Sequence, residues 1–295
     1  MNVDYHYTYG LLFALAALVF WGGGDFLIQR TTRRLGDWET LFLIVAFGTV
    51  VLLPFVYTQI TGYLSLEIVL AVLSAATLLS FAASMFDLEA LRKGKIAAVE
   101  PILALEIPIV AIFSLVVLNE VLQPVEILLV ALIILGLVLV SFKSRHFRSV
   151  KLEKGVLLMV VAAVLWGATA FFVGWGARIS SPLVVNWYIA LGMTAFTFVY
   201  LLLKRDLGDM VRNVFRSPAL VLTTCTLDTL AWVSYAYAAV FIPVTIAVAL
   251  SENYIGVAAM LGLIVNREKL MTRQKAGFLF ALSGAVLLAY VINGI

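Results

Sequence analysis

Ten runs of mainly apolar residues, each roughly the twenty-residue length a helix needs to cross a bilayer, fill almost the whole chain. They lie at 10–29, 40–60, 66–89, 96–118, 124–142, 155–177, 183–203, 218–240, 244–265 and 274–293, punctuated by charge clusters, glycine and proline. Backbone amides in hydrocarbon must bond within their own segment, so such runs fold as helices. The expected fold is all-α and integral to a membrane, with ten transmembrane helices. Composition agrees: 63% of the 295 residues are apolar and 13% are charged, with mean hydropathy +1.08. A soluble domain carries about 25% charged residues. A cytoplasmic enzyme, a secreted module and a nucleic-acid binder are therefore excluded. The first run has no basic segment before it and no clear cleavage site, so it is expected to be retained as part of the fold. Cys225, the single cysteine, leaves no intrachain disulfide and no cysteine-based zinc site; no metal and no cofactor are expected.

The net charge of +3 acquires meaning from its distribution. Arg30, Arg33 and Arg34 occupy loop one, Arg92, Lys93 and Lys95 loop three, and Lys143, Arg145, Arg148, Lys151 and Lys154 loop five. Lys204, Arg205, Arg212 and Arg216 follow in loop seven, and Arg267, Lys269, Arg273 and Lys275 in and just after loop nine. Nineteen of the 20 basic residues thus sit at odd-numbered loops, and only Arg178 at an even one. Basic loops stay in the cytoplasm, so a multi-pass protein of the cell membrane is expected, with odd loops cytoplasmic and both termini outside.

The chain also repeats itself. Gly10 and Trp21-Gly22 return as Gly155 and Trp166-Gly167 at a shift of 145, and Glu120 and Gly136 return as Glu268 and Gly284 at a shift of 148. This divides the chain into a first five-helix unit at 10–142, a basic linker at 143–154 and a second unit at 155–293. Five is odd, so the second unit enters the membrane from the opposite side. The charges follow: loops one and three of the first unit are basic, whereas in the second unit it is the second and fourth. Two inverted five-helix repeats are the expected organisation.

These repeated residues resemble the drug/metabolite transporter superfamily, specifically proteins with two EamA repeats, over nearly the whole chain. Gly10…Trp21-Gly22 and Gly155…Trp166-Gly167 open the copies, and Asn119-Glu120…Gly136 and Arg267-Glu268…Gly284 close them, with Ala90 and Ala238 at the family's small positions. The family often places Glu-Pro 14 residues before the terminal Glu; Glu106 keeps that distance, with the proline one residue late at Pro108, and the second copy has Tyr254 and Gly256 there. The family's usual Gly before the terminal Glu is replaced by Asn119 and Arg267. The resemblance implies a transporter of small metabolites, not an enzyme.

Charge at the centre of a membrane helix costs about 2.5–3.5 kcal/mol on insertion scales, so acids there face a cavity, a partner or a pathway. Glu106 and Asp228 fall near mid-depth and Glu252 somewhat nearer the even-loop face, with no Lys, Arg or His at comparable depth. All three are candidates for substrate binding and for proton coupling, the alternative being protonated, hydrogen-bonded packing residues. Cys225, Asp228, Trp232 and Tyr235 share one helical face, matched in the third span by Ser80, Ser84 and Asp87. Trp21, Ser80, Ser84, Trp232 and Tyr235 complete the substrate-binding candidates, although polar stripes also serve helix contacts. Asp87 and Glu89, close to Arg92, Lys93 and Lys95, read as boundary ion-pair partners. Gly22, Gly23 and Gly24 before Asp25 permit either local unwinding or a packing notch. Glu100 beside Pro101 reads equally as a cap or a gate. Pro108 is the candidate hinge, expected to kink the fourth span near Glu106.

Gly22-Gly23-Gly24-Asp25 matches the Gly-x-Gly-Asp string of intramembrane aspartyl proteases, but the partner Tyr-Asp string is absent from every span. His6 and His146 lie outside the spans, which leaves no buried base for a serine protease. No phosphate-binding loop is present to support ATP drive. The expected function is a secondary transporter moving a small organic metabolite, an amino acid or amine, by alternating access, with proton coupling through the buried acids. The alternatives are a sugar, lipid-linked sugar or nucleotide-sugar carrier of the same fold, which needs mid-depth Lys or Arg for phosphate, and a non-transporting scaffold. The expected partners are a small-molecule substrate and the lipid bilayer, with no nucleic acid; a monomer is compatible with the sequence. Tags at both termini should be accessible from outside intact cells, and a C-terminal tag reachable only from the cytoplasm would reverse the orientation.

Overall fold

Long apolar runs give long helices here because each turn bonds its own backbone and leaves only apolar side chains for the surroundings. The computed structural model describes residues 3–93, 100–141, 154–204, 207–254 and 272–293. In chain order they form α1 (Val3–Leu35), α2 (Asp37–Val56), α3 (Ile60–Leu64), α4 (Glu67–Lys93) and a 3-10 segment (Glu100–Leu105). There follow α5 (Glu106–Leu118), α6 (Pro124–Ser141), α7 (Lys154–Ile179), α8 (Pro182–Lys204), α9 (Leu207–Arg216), α10 (Pro218–Phe241), α11 (Val244–Ser251) and α12 (Thr272–Asn293). No strand occurs among the described residues. The protein is an integral membrane protein built of helices: among the described residues, α1, α2, α4, α7, α8, α10 and α12 are long and apolar enough to cross a bilayer. Shorter apolar stretches run over Ile102–Leu118 and Pro124–Leu139. Leu12, Val19, Val50, Leu78, Val116 and Leu128 are exposed large apolar side chains, suited to lipid rather than water.

Just before Pro108, the candidate hinge, the helix type changes. The 3-10 segment ends at Leu105, and α5 starts at Glu106, so Pro108 lies in the first turn of α5. Amides there have no intrahelical acceptor, and a residue without an N–H is tolerated. Two short helices, α3 and α9, were not among the ten expected runs. Lys95, Gly256, Arg267, Glu268, the residues of the ninth run beyond Tyr254, and the 143–154 linker apart from Lys154 lie outside the described residues.

Helix pairing follows the repeat. α1 packs on α10 and α4 on α7, while α2 packs on α8 and α6 on α12. Under the sequence shifts the first two pairs are equivalents of each other, and the last two each join a helix to its own equivalent. α2 and α8 run antiparallel: Trp38 stacks on Tyr200 at 4.2 Å, Phe42 faces Phe198 at 5.9 Å, and Thr49 shares a hydrogen bond with Thr194 at 3.1 Å. Thr49 and Thr194 are 145 residues apart, so equivalent side chains meet each other.

The α6–α12 crossing is also reciprocal. A Cβ on Gly136 would strike the backbone of Ala281, and one on Gly284 would strike Ile133, the residue equivalent to Ala281. Small residues are what permit such close approach in a membrane, where packing rather than water exclusion joins helices. One core runs through the contacts, with Ile107, Val110, Ile133 and Leu137 from the first unit and Val184, Val185, Ile246 and Leu250 from the second. Gly136→Ala should cost about 1–3 kcal/mol and lower the thermal midpoint of the purified protein, because the backbone it meets cannot step aside. Gly62→Ala, where an added Cβ meets nothing within 4 Å, should leave that midpoint unchanged.

Candidate functional site

The helix pairs enclose a cavity of about 330 Å³, within the range of roughly 300–1,000 Å³ usual for small-molecule sites. Its wall draws on both units. α1 contributes Trp21 and Asp25, α4 contributes Ser80, Ser84 and Asp87, and α5 contributes Glu106. From the second unit come Trp166 and Ala170 of α7, Asn186 of α8, Asp228, Thr229, Trp232 and Tyr235 of α10, and Ser251, Glu252 and Tyr254 at and beyond the end of α11. Every substrate-binding candidate read from the sequence, Trp21, Ser80, Ser84, Glu106, Asp228, Trp232, Tyr235 and Glu252, lines this one space. Pro108 does not; it shapes the helix that carries Glu106.

Six carboxylates face the cavity, from Asp25, Asp37, Asp87, Glu106, Asp228 and Glu252, and no Lys, Arg or His is among its described lining residues. Glu106 has Glu252 and Asp87 as charged neighbours, and Glu252 has Asp25. Among the described residues, none donates a hydrogen bond to the carboxylates of Glu106, Asp228 or Glu252. Glu252 is nevertheless only 8% exposed. Buried charge is costly without a compensating group.

Aromatic rings form the other part of the wall. Trp21 meets Trp232 edge-on at 5.1 Å and lies 5.9 Å from both Tyr235 and Tyr254, and Trp166 is 6.2 Å from Trp232. Tyr235 is fully buried and its hydroxyl donates to the Ala170 carbonyl at 2.8 Å, which ties α10 to α7. The repeat is visible here too: Trp21 contacts Tyr235, while its equivalent Trp166 directs its indole N–H at Asp87, the equivalent of Tyr235, at 3.4 Å.

Several lining residues were not among the sequence candidates. Asp87, read as a boundary ion-pair partner, is a cavity residue. Asp25 also lines the cavity, and α1 runs unbroken past Gly22, Gly23 and Gly24, so these glycines form a packing notch rather than an unwound segment. Gly23 and Gly24 lie against Leu227, and Gly24 also approaches the Asp228 amide, which brings α1 and α10 close beside the acids. Asn186 and Thr229 carry no sequence signal because isolated polar residues in a membrane helix commonly serve packing.

The cavity reaches the exposed Asp37, the first residue of α2 on the loop-one side, and Thr32 in the last turn of α1. The opposite, even-loop end is stitched together by Arg178 and Glu120. The Arg178 guanidinium donates to the carbonyls of Ala239 (2.6 Å) and Ile242 (2.8 Å) and pairs with Glu120, whose other oxygen accepts the Val244 amide at 2.9 Å. These bonds complete a break between two helices. Ala239 lacks its usual donor four residues on because that residue is Pro243, and Val244 opens α11 with an amide that has no helical acceptor.

Asn119 sets the position of Glu120. It ends α5 in the left-handed conformation at φ 55°, and both its amide and that of Glu120 turn back to the Ser114 carbonyl. Gly is the common residue for such a cap and Asn the best substitute, which explains physically how Asn119 holds this conformation.

A helical membrane protein with a metabolite-sized cavity between two repeated units belongs to the class of membrane transporters. The chain is a member of the EamA-like transporter family, whose model matches residues 8–142 and again 153–290, once for each repeat. This makes it a transporter of the drug/metabolite type. No curated protein matches it in sequence. A solved crystal structure, described only as that of a protein, superposes with a TM-score of 0.75 at 16% identity and covers 96% of this chain and 98% of its own, a likeness of fold. Asn119→Val should destabilise the protein by about 1–2 kcal/mol and shorten its half-life in detergent at elevated temperature, whereas Asn119→Gly should preserve it.

Proposed function

We propose that the protein carries a small cationic metabolite, an amino acid or amine, across the cell membrane by alternating access between two inverted five-helix halves. The observation that carries this reading is a cavity with six carboxylates, an aromatic wall and no basic side chain among its described lining residues. A cation in that space is attracted by the acids and by the faces of Trp21, Trp166 and Trp232. A phosphate-bearing sugar would find like charge there, which disfavours the nucleotide-sugar alternative.

The inverted arrangement is supported by the antiparallel crossings. α2 and α8 are equivalent and run in opposite directions, as do α6 and α12; equivalent helices that oppose one another require copies of opposite orientation. In the ten-span reading, the 3-10 segment and α5 together form the fourth span and the helix opening at Val244 begins the ninth. With odd loops cytoplasmic, the cavity that reaches Asp37 opens to the cytoplasm. Proton coupling falls to Glu106, Asp228 and Glu252, which have no hydrogen-bond donor among the described residues and so exchange a proton for the cargo's charge.

Purified protein should be thermally stabilised by organic amines through mass action, and Glu252→Gln or Asp228→Asn should weaken that stabilisation at least tenfold in ligand concentration. In proteoliposomes, uptake of the stabilising compound should respond to an imposed pH gradient. A panel in which only anionic sugar phosphates stabilise would overturn the reading, as would flux indifferent to both the gradient and neutralisation of all three acids.

A further inference from the structure

Resting on the cationic-cargo reading above, the donors and acceptors of the cavity define the cargo further. Its side-chain donors are largely committed to the protein. Ser80 and Ser84 give their protons to the carbonyls of Ala76 and Ser80 at 2.8 Å, Thr40 to Gly36 at 2.7 Å and Ser251 to Val248 at 3.1 Å. Asn186, 9% exposed, donates its amide to the carbonyls of Pro182 at 2.7 Å and Trp232 at 3.4 Å. Because those partners are both carbonyls, the nitrogen must face them, which leaves the Asn186 Oδ1 without a donor among the described residues. Glu252, still more deeply buried, likewise has none. The lining therefore presents uncommitted acceptors, while the donors left over, such as the Thr229 hydroxyl, are neutral.

An amino acid brings a carboxylate as well as an ammonium group. Nothing among the described lining residues offers that carboxylate a positive charge, and Glu106 and Glu252 repel it. We propose that the cargo is an organic amine without a carboxylate, its ammonium held by Glu252 and Asn186 Oδ1.

Matched pairs test this by calorimetric titration of the full-length protein in detergent: cadaverine against lysine, agmatine against arginine and tyramine against tyrosine, with lysinamide as a neutral-ended control. The decarboxylated member of at least one pair should bind at least tenfold more tightly than its parent, lysinamide should follow cadaverine where that pair binds, and Glu252→Gln should erode amine binding tenfold or more. Parents that bind as well as their amines would overturn the inference while leaving the cationic reading intact. Lysinamide excluded together with lysine would overturn it by showing that size, not charge, discriminates. Binding by neither class would sink both readings.

A second inference comes from the even-loop end and rests on alternating access. Arg178, Ala239, Ile242 and Val244 all belong to the second unit, whereas Glu120 belongs to the first. Glu120 is 12% exposed and its partner 26%, so the pair is part-buried. The geometry points to Glu120 as a positioning residue, the releasable half of a latch that holds the two units together while the cavity faces loop one. Arg178 stays docked on the end of α10 throughout. A single reporter cysteine, Ala170→Cys in a Cys225→Ser background, reads the state by labelling with an impermeant maleimide in vesicles of either orientation. Glu120→Gln should raise labelling from the even-loop face severalfold and lower it from the other, and Glu120→Asp, which keeps the charge and the acceptor, should hold the original ratio. A drop in thermal stability with unchanged labelling would identify a static staple and overturn the latch.

Discussion

A bilayer supplies no hydrogen bonds, and the architecture of this protein follows from that one deficiency. Where the chain is helical, the backbone supplies its own partners. Where helices break, partners must be imported from elsewhere in the chain. The gap between α10 and α11 leaves the Ala239 carbonyl and the Val244 amide short of partners, and Arg178 and Glu120, more than fifty residues away from both, provide them. The same pair crosses from one unit to the other, so a local defect in one helix becomes a connection between halves.

The carboxylates obey the same rule in reverse. At the break, donors were brought to the acceptors; around the cavity, Glu106, Asp228 and Glu252 have been given no donors among the described residues. In the function proposed above, these three acids serve a cationic visitor that arrives and leaves. The aromatic wall of Trp21, Trp166 and Trp232 suits the same visitor, since rings attract a cation without holding it as a fixed counter-charge would.

Much of this was legible before any coordinates. Apolar run length announces helices in a membrane because the period and the bilayer thickness are fixed quantities, and the i, i+3, i+7 spacing of Cys225, Asp228, Trp232 carries over directly to one face of α10. Legibility declined where meaning depends on neighbours from distant sequence. Asp87 sits among Arg92, Lys93 and Lys95 in the chain, and proximity in sequence suggested a boundary pair; its helix also presents it to the cavity and to Trp166, seventy-nine residues on. Gly22, Gly23 and Gly24 permit unwinding as well as packing, and only the approach of Leu227 distinguishes them. Arg178 stood out as the one basic residue on the even side, yet nothing in its local sequence points to Glu120.

The sequence by itself determined the helical membrane class, the duplication and the chemical character of the interior, because these depend on composition, periodicity and the solvation cost of charge, all local or summed properties. Only the tertiary structure decided that the acids of both units share one space, that Asn186 lines it, and that Arg178 and Glu120 join the two units beyond it. Those are facts about distance between helices, set by where glycines such as Gly136 and Gly284 let backbones touch, and the pattern along one helix holds no record of which surface its neighbour will present.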